Sequence, residues 1–137
     1  MIRYMLDTNT IAYAKNRRPA SVLERLIQHD PSEICISAIT MAELEFGINH
    51  SSRPSQNRKA LLMFLSGITI LPFGPEAAQT YGEIWHTLQS QGQLTGANDL
   101  LIAAHAKASG LILVTHNIRE FSRVKGLNTE DWVKTEP

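Results

Sequence analysis

Strand-like and helix-like segments alternate along this chain, which predicts an α/β fold with a mainly parallel central sheet flanked by helices. Two further observations point the same way. Residues 111–114 are apolar throughout, as a strand covered on both faces must be. Residues 2–6, apolar except for Arg3, end abruptly in Asp7, and open α/β sheets bind ligands at the carboxyl ends of their strands. The 137 residues fit one domain, 1–137, long enough to bury a core without disulfides or a structural metal.

The first strand covers 2–6, and a short helix follows over 8–15. Pro19 can open the next helix, which carries Val22, Leu23, Leu26 and Ile27 on one face. Pro31 and Ser32 break that pattern, and 34–37 forms a second short strand. Thr40 begins a helix to about Asn49 with an apolar stripe of Met41, Leu44 and Ile48. After a polar turn, 55–66 is a helix bearing Leu61, Leu62, Phe64 and Leu65.

Residues 68–71 are β-branched except for Leu71, bounded by Gly67 and Pro72, and read as a third strand. Pro75 starts a longer helix to about Gln91, with Ala77, Ala78, Tyr81, Ile84, Trp85 and Leu88 facing inward. The strongly apolar stretch 97–109 is a buried helix that Gly110 stops. Strand 111–114 follows, Leu127 joins a short edge strand, and Trp132 pins the tail.

The 13 basic and 13 acidic residues cancel, so no global positive field draws in nucleic acid and any such binding uses local patches. Lys15, Arg17 and Arg18 are one patch; Arg53, Arg58 and Lys59 are another; Arg119, Arg123 and Lys125 form a third, diluted by Glu120. Each also reads as ordinary solvated surface. Cys35, the only cysteine, sits between isoleucines and reads as a small buried apolar residue. There is no basic segment followed by a long apolar one and no apolar run of membrane-spanning length, so a cytoplasmic location is expected.

The chemistry lies in three carboxylates at junctions: Asp7, Glu43 and Asp99. Each has a structural explanation. Asp7 can cap the helix after it. Thr40-Met41-Ala42-Glu43 has the pattern of a capping box, with Ile39 and Leu44 as its staple. Asp99 can stabilise a helix N-terminus. Together they suggest more, because Asp7 and Asp99 are embedded among apolar residues and buried carboxylates are rarely left unpaired. Two anions about 4 Å apart repel by roughly 4 kcal/mol at an effective dielectric of 20. A divalent cation relieves that cost, and hard cations suit phosphate chemistry.

Rival chemistries are weaker. The chain has no Gly-x-Ser-x-Gly elbow and no Walker loop. Its five histidines are scattered; His86 and His105 read as helix-surface or satisfied core residues, while His116 follows a strand near the expected site.

Four stretches in order resemble the PIN-domain family, and within it the VapC-type toxins of toxin–antitoxin pairs. They are Met5-Leu6-Asp7-Thr8-Asn9; Ile36-Ser37 through Thr40-Met41-Ala42-Glu43-Leu44 and Gly47; Gly96-Ala97-Asn98-Asp99 through Ala106; and Leu113-Val114-Thr115-His116-Asn117 with Glu120-Phe121. The resemblance extends to Glu130-Asp131-Trp132. It implies a Rossmann-like PIN fold and a metal-dependent endoribonuclease using Mg²⁺ or Mn²⁺. Similar toxins cut tRNA, and the most similar bacterial ones cut initiator tRNA in the anticodon stem-loop. It also implies a VapB-type antitoxin, operator DNA reached only through that antitoxin, and a homodimer within the complex.

On this reading Asp7 and Asp99 bind the metal and Glu43 completes or bridges the site. Asn9 and Thr115 support the ligands, and Lys15, Arg17 and Arg18 guide the RNA backbone. Many PIN domains carry aspartate where this chain has Asn117, and Glu120, one turn on, could supply the missing charge. Two alternatives remain: a PIN-like protein that binds RNA or an antitoxin without useful catalysis, and a DNA-directed nuclease of similar fold.

Overall fold

The structure, a computed structural model, describes residues 1–134. Five strands form one parallel sheet: β1 (Tyr4–Leu6), β2 (Ile34–Ser37), β3 (Thr69–Leu71), β4 (Ile112–Val114) and β5 (Thr129–Glu130), in the order β3-β2-β1-β4-β5. The helices are α1 (Thr8–Asn16), α2 (Ala20–Leu26), α3 (Ala38–Asn49), α4 (Pro54–Phe64), α5 (Pro75–Ser90), α6 (Ala97–Ala108) and α7 (Ile118–Phe121), with a 3₁₀ turn at Pro31–Glu33.

The pleat sorts the apolar strand residues onto two covered faces. Tyr4, Leu6, Ile34, Ile36 and Val114 join a core with α1, α2, α3 and α4. Their neighbours Met5, Cys35 and Leu113 point the other way, into a core with α5 and α6. Each core is therefore built from alternate residues of the same short strands. Cys35 is fully buried, and its thiol is pushed up to about 12 by that burial.

β1 lies in the middle, with β2 on one side and β4 on the other. The chain winds outward from β1 to β3, then returns to place β4 beside β1. The carboxyl ends of β1 and β4 therefore border the topological switch point, where open parallel sheets leave a crevice. Leu6 pairs with Val114, so Asp7 and Thr115 leave the sheet side by side.

Several expectations need correction. α3 begins at Ala38 rather than Thr40, and its cap is Ser37, whose hydroxyl accepts the Ile39 N–H at 3.0 Å. Serine is at least as good a cap as threonine, and here β2 runs straight into the helix. No capping box forms: Thr40 is inside the helix, buried, and its hydroxyl has no partner among the described residues. The edge strand is Thr129–Glu130, not Leu127, because Gly126 turns the chain at φ 81° and Leu127 packs into the second core. On α5, Ala77, Ile84 and Leu88 are buried, whereas Trp85 is half exposed and Ala78 is exposed. Ile27 and Leu62 also face outward.

Trp132 does pin the tail. It is buried against Tyr4, stacks on His29, and donates its indole N–H to Glu130 at 3.0 Å.

Candidate active site

Asp7 follows β1 directly and caps α1: one carboxylate oxygen accepts the Thr10 N–H at 2.9 Å. The structural role of this residue is therefore real, yet it uses little of the carboxylate's capacity, since an ionised carboxylate offers about four lone-pair sites. Asp7 is only 5% exposed. Burial raises its pKa, against the pull of hydrogen bonds from Thr115 and Thr10, and Glu43 adds a smaller upward push. Thr115 is fully buried; its oxygen also accepts the Asn117 N–H at 3.0 Å.

Glu43 projects from α3. Its two oxygens accept from Thr8 Oγ1 and, at 3.3 Å, from Asn98 Nδ2. These contacts tie the helix bearing Glu43 to the first turn of α1 and to α6. Asp99 lies in the first turn of α6, half-buried. Its pKa is raised by burial first, then by Asp7, Glu120 and Glu43. Glu120 comes from α7 and is held by Asn117, whose side-chain amide donates to it at 3.1 Å. Four carboxylates from four elements thus share one field, and no salt bridge reaches any of them among the described residues.

The frame behind them is neutral. His105 is buried on α6, with Nδ1 2.8 Å from Ser37 Oγ at the N-cap of α3. Burial lowers the His105 pKa despite a hydrogen bond to the Pro72 carbonyl. A neutral imidazole therefore joins the helix carrying Asp99 to the start of the helix carrying Glu43.

The donor set suits a hard divalent cation: carboxylate oxygens, with the proton affinity of Asp7 and Asp99 raised by burial, and no competing ammonium or guanidinium. The side chains surround a shared region rather than a single point, and no group of three His, Cys, Asp or Glu stands at metal-holding spacing among the described residues. Glu43 is turned to Thr8 and Asn98, and Glu120 to Asn117.

The PIN domain family model matches residues 4–127. The chain belongs to the PIN-domain family. Among curated relatives it is 47% identical to Ribonuclease VapC2 of Haemophilus influenzae over 97% of this chain and 100% of that protein. It is 42% identical to the tRNA(fMet)-specific endonuclease VapC of Shigella flexneri, over 96% and 99% of the two chains. A solved structure of Rickettsia felis VapBC2 bound to a DNA fragment from its promoter superposes with a TM-score of 0.87 at 41% identity, covering 96% and 99%. These likenesses place this PIN domain among the VapC ribonucleases.

The other sequence-derived candidates fall in different places. Asn9 is exposed and makes no side-chain hydrogen bond among the described residues. Lys15, Arg17 and Arg18 lie at the far end of α1, with Lys15 about 12 Å along the helix from Asp7 at 1.5 Å per residue. Lys15 lines a cleft of about 340 Å³ with Leu44, Gly47 and Asn57, and Arg17 and Arg18 are exposed. His116 Nδ1 donates to the Asp131 carboxylate at 3.0 Å. Sequence reasoning missed Thr8, Thr10 and Asn98. Their signal is adjacency, since each stands within three residues of a candidate carboxylate.

Proposed function

We propose that this PIN-domain chain is a Mg²⁺- or Mn²⁺-dependent endoribonuclease and the toxin of a type II toxin–antitoxin pair, acting in the cytoplasm on tRNA, initiator tRNA foremost. The observation that carries this is the gathering of Asp7, Glu43, Asp99 and Glu120 without a cationic partner. The name of the Shigella flexneri relative supports the tRNA substrate, and the promoter-bound VapBC2 structure supports a VapB-type partner that brings the toxin to operator DNA. No helix among the described residues is long and apolar enough to cross a membrane.

Asp7 and Asp99 would hold the ion, Glu43 would complete the site, and Asn117 or Glu120 would extend it. Bound there, the ion supplies a Lewis acid that acidifies water and offsets charge on the phosphoryl oxygens. Thr10 and Thr115 fix Asp7 in one orientation, as positioning partners do for ligating carboxylates. Glu43, released from Thr8 or Asn98, would accept the proton of an attacking water. In-line attack with loss of the 3′ oxygen leaves a 5′-phosphate and a 3′-hydroxyl. Lys15, Arg17 and Arg18 would meet flanking phosphates, which position RNA without reading its sequence.

The test is to map RNA ends in cells expressing the chain or its Asp7→Asn variant, alongside purified protein with matched RNA and DNA stem-loops. New 5′-phosphate ends in one tRNA, lost in the variant, are expected. Binding without cleavage would establish the non-catalytic alternative, and preference for DNA the other.

A further inference from the structure

Phe46 on α3 is 70% exposed and belongs to neither core cluster. An aromatic ring left largely in water forgoes the burial that core phenylalanines gain, so its position invites a partner. Its ring stacks on His50, with centroids 5.6 Å apart and planes 12° apart. One aromatic face is thus backed and the other is open.

Phe46 also forms a wall of a cavity of about 620 Å³. Glu43, Thr8 and Asn98 supply that cavity's polar side, and Ile39 and Leu101 its apolar side. Phe46 stands three residues beyond Glu43, just under one helical turn of 5.4 Å. A group bound there is continuous with the acidic centre. Along the chain no acid occurs from Phe46 to Pro75, a stretch that includes Arg53, Arg58 and Lys59. Arg58 is committed to Glu45, but Arg53 reaches only Gln56 and Lys59 forms no salt bridge among the described residues.

We propose that Phe46, backed by His50, is the stacking platform for an unpaired RNA base adjoining the scissile phosphate. This rests on the ribonuclease reading above. A flat open aromatic face on a cavity that reaches Glu43 of the carboxylate centre matches a base attached to the phosphate at that centre. An apolar peptide would match the ring alone. Stacking is tolerant of base identity, so the platform holds single-stranded RNA without choosing its sequence.

The probe is a short single-stranded RNA carrying one 2-aminopurine, titrated in Mg²⁺ against Asp7→Asn protein so that it is not consumed. Binding should quench the fluorophore. Adding Phe46→Ala should weaken binding about tenfold and abolish the quench, while Phe46→Tyr keeps both. In otherwise unaltered enzyme, Phe46→Ala should raise KM with little change in kcat, and its melting temperature should match the parent's. Unchanged binding, quench and KM in a variant that still cleaves RNA would overturn the platform and leave the ribonuclease reading intact. Loss confined to binding a co-encoded antitoxin would overturn it in favour of a protein partner. A parent protein that neither binds nor cuts RNA would overturn both.

Discussion

Two sets of carboxylates in this molecule are treated in opposite ways. Glu33, Glu45, Glu130 and Asp131 each meet a basic group: Arg3 at 3.6 Å, Arg58 at 2.9 Å, Arg25 at 3.3 Å and His116 at 3.0 Å. Asp7, Glu43 and Glu120 meet only neutral donors, from threonine, asparagine and backbone groups, and Asp99 beside them forms no salt bridge among the described residues. The first set balances charge where it arises. The second accumulates it at the one place where the sheet topology opens a crevice. Burying like charges together opposes folding, and arrangements of that kind cluster at functional sites. The contrast is informative because both sets belong to one small domain with equal numbers of acids and bases, so a shortage of cations is not the cause.

Asp7→Asn should break the second set most severely. Asparagine still caps α1 through its amide oxygen, so the fold should persist. The charge proposed to bind the ion is gone, and cleavage should fall about a thousandfold or more, the rate equivalent of ~4 kcal/mol at 1.36 kcal/mol per decade. Stability should move the other way. An aspartate whose folded pKa is raised favours folding fully only below its unfolded value near 3.8, and that contribution is lost as pH rises through the folded pKa. At neutral pH the ionised Asp7 is a net cost without metal. The variant should therefore melt at the same or a higher temperature in chelator, with a flatter acid limb. Retained cleavage at unchanged Mg²⁺ demand would remove Asp7 from the reaction.

The metal linkage comes next in size. A ligand that binds only the folded state adds RT ln(1 + [L]/Kd), about 2.7 kcal/mol at a hundredfold excess over Kd. Mg²⁺ or Mn²⁺ should raise the melting temperature of the parent, and the increment should shrink in Asp99→Asn. Asn117→Asp, by adding charge beside Glu120, should shift the midpoint of that rise to lower metal concentration. Equal increments in all three proteins would mean the carboxylates do not share an ion.

How much of this contrast was written in the sequence differs between its parts. The carboxylate at the end of β1 was legible because an apolar strand broke off in an acid. The sheet was legible because its strands are short, apolar and regularly interrupted. What failed were assignments that depend on who reaches a group first. Thr40 had the pattern of a cap, but Ser37 stands where β2 ends and takes the helix N-terminus. Trp85 fitted the inward stripe of α5, yet Ala77, Ile84 and Leu88 fill that face. Asn9 sits in the acidic motif but is exposed, and Thr8 beside it makes the contact to Glu43. Spacing gives the helix face; it does not decide which neighbouring side chain wins a partner from a distant segment.

His105 sharpens the comparison from beneath, since it supports the acidic set while staying neutral. Its imidazole meets Ser37, and burial depresses its pKa below 6.5. Stability from a neutral buried histidine is present above the unfolded pKa and lost as pH falls through the depressed folded one. The parent should therefore weaken below about pH 6.5 through this group. His105→Phe, which cannot charge, should lose about 1 kcal/mol at pH 7.5 with the hydrogen bond, yet decline less on acidification. Denaturant midpoints for both proteins across that range check it, and parallel declines would clear His105 of the effect.

The smallest effect is expected from the paired set. Glu130 and Arg25 are about a third exposed, and such pairs contribute ~0.2–1 kcal/mol. Glu130→Gln keeps an oxygen for the Trp132 indole and leaves the backbone carbonyl that accepts the Thr115 N–H, so only the charge is removed. It should destabilise slightly, whereas Asp7→Asn in chelator should not. Added salt should erase the loss, because screening weakens the pair in the parent as well. Cleavage should be unchanged, even though Glu130 lies on β5 beside the strand that delivers Thr115. Proximity to the site is thereby separated from membership in it. If neutralising Glu130 stabilised the fold as neutralising Asp7 should, the two sets would differ only in location, and missing counter-charge could no longer mark the second as the proposed site.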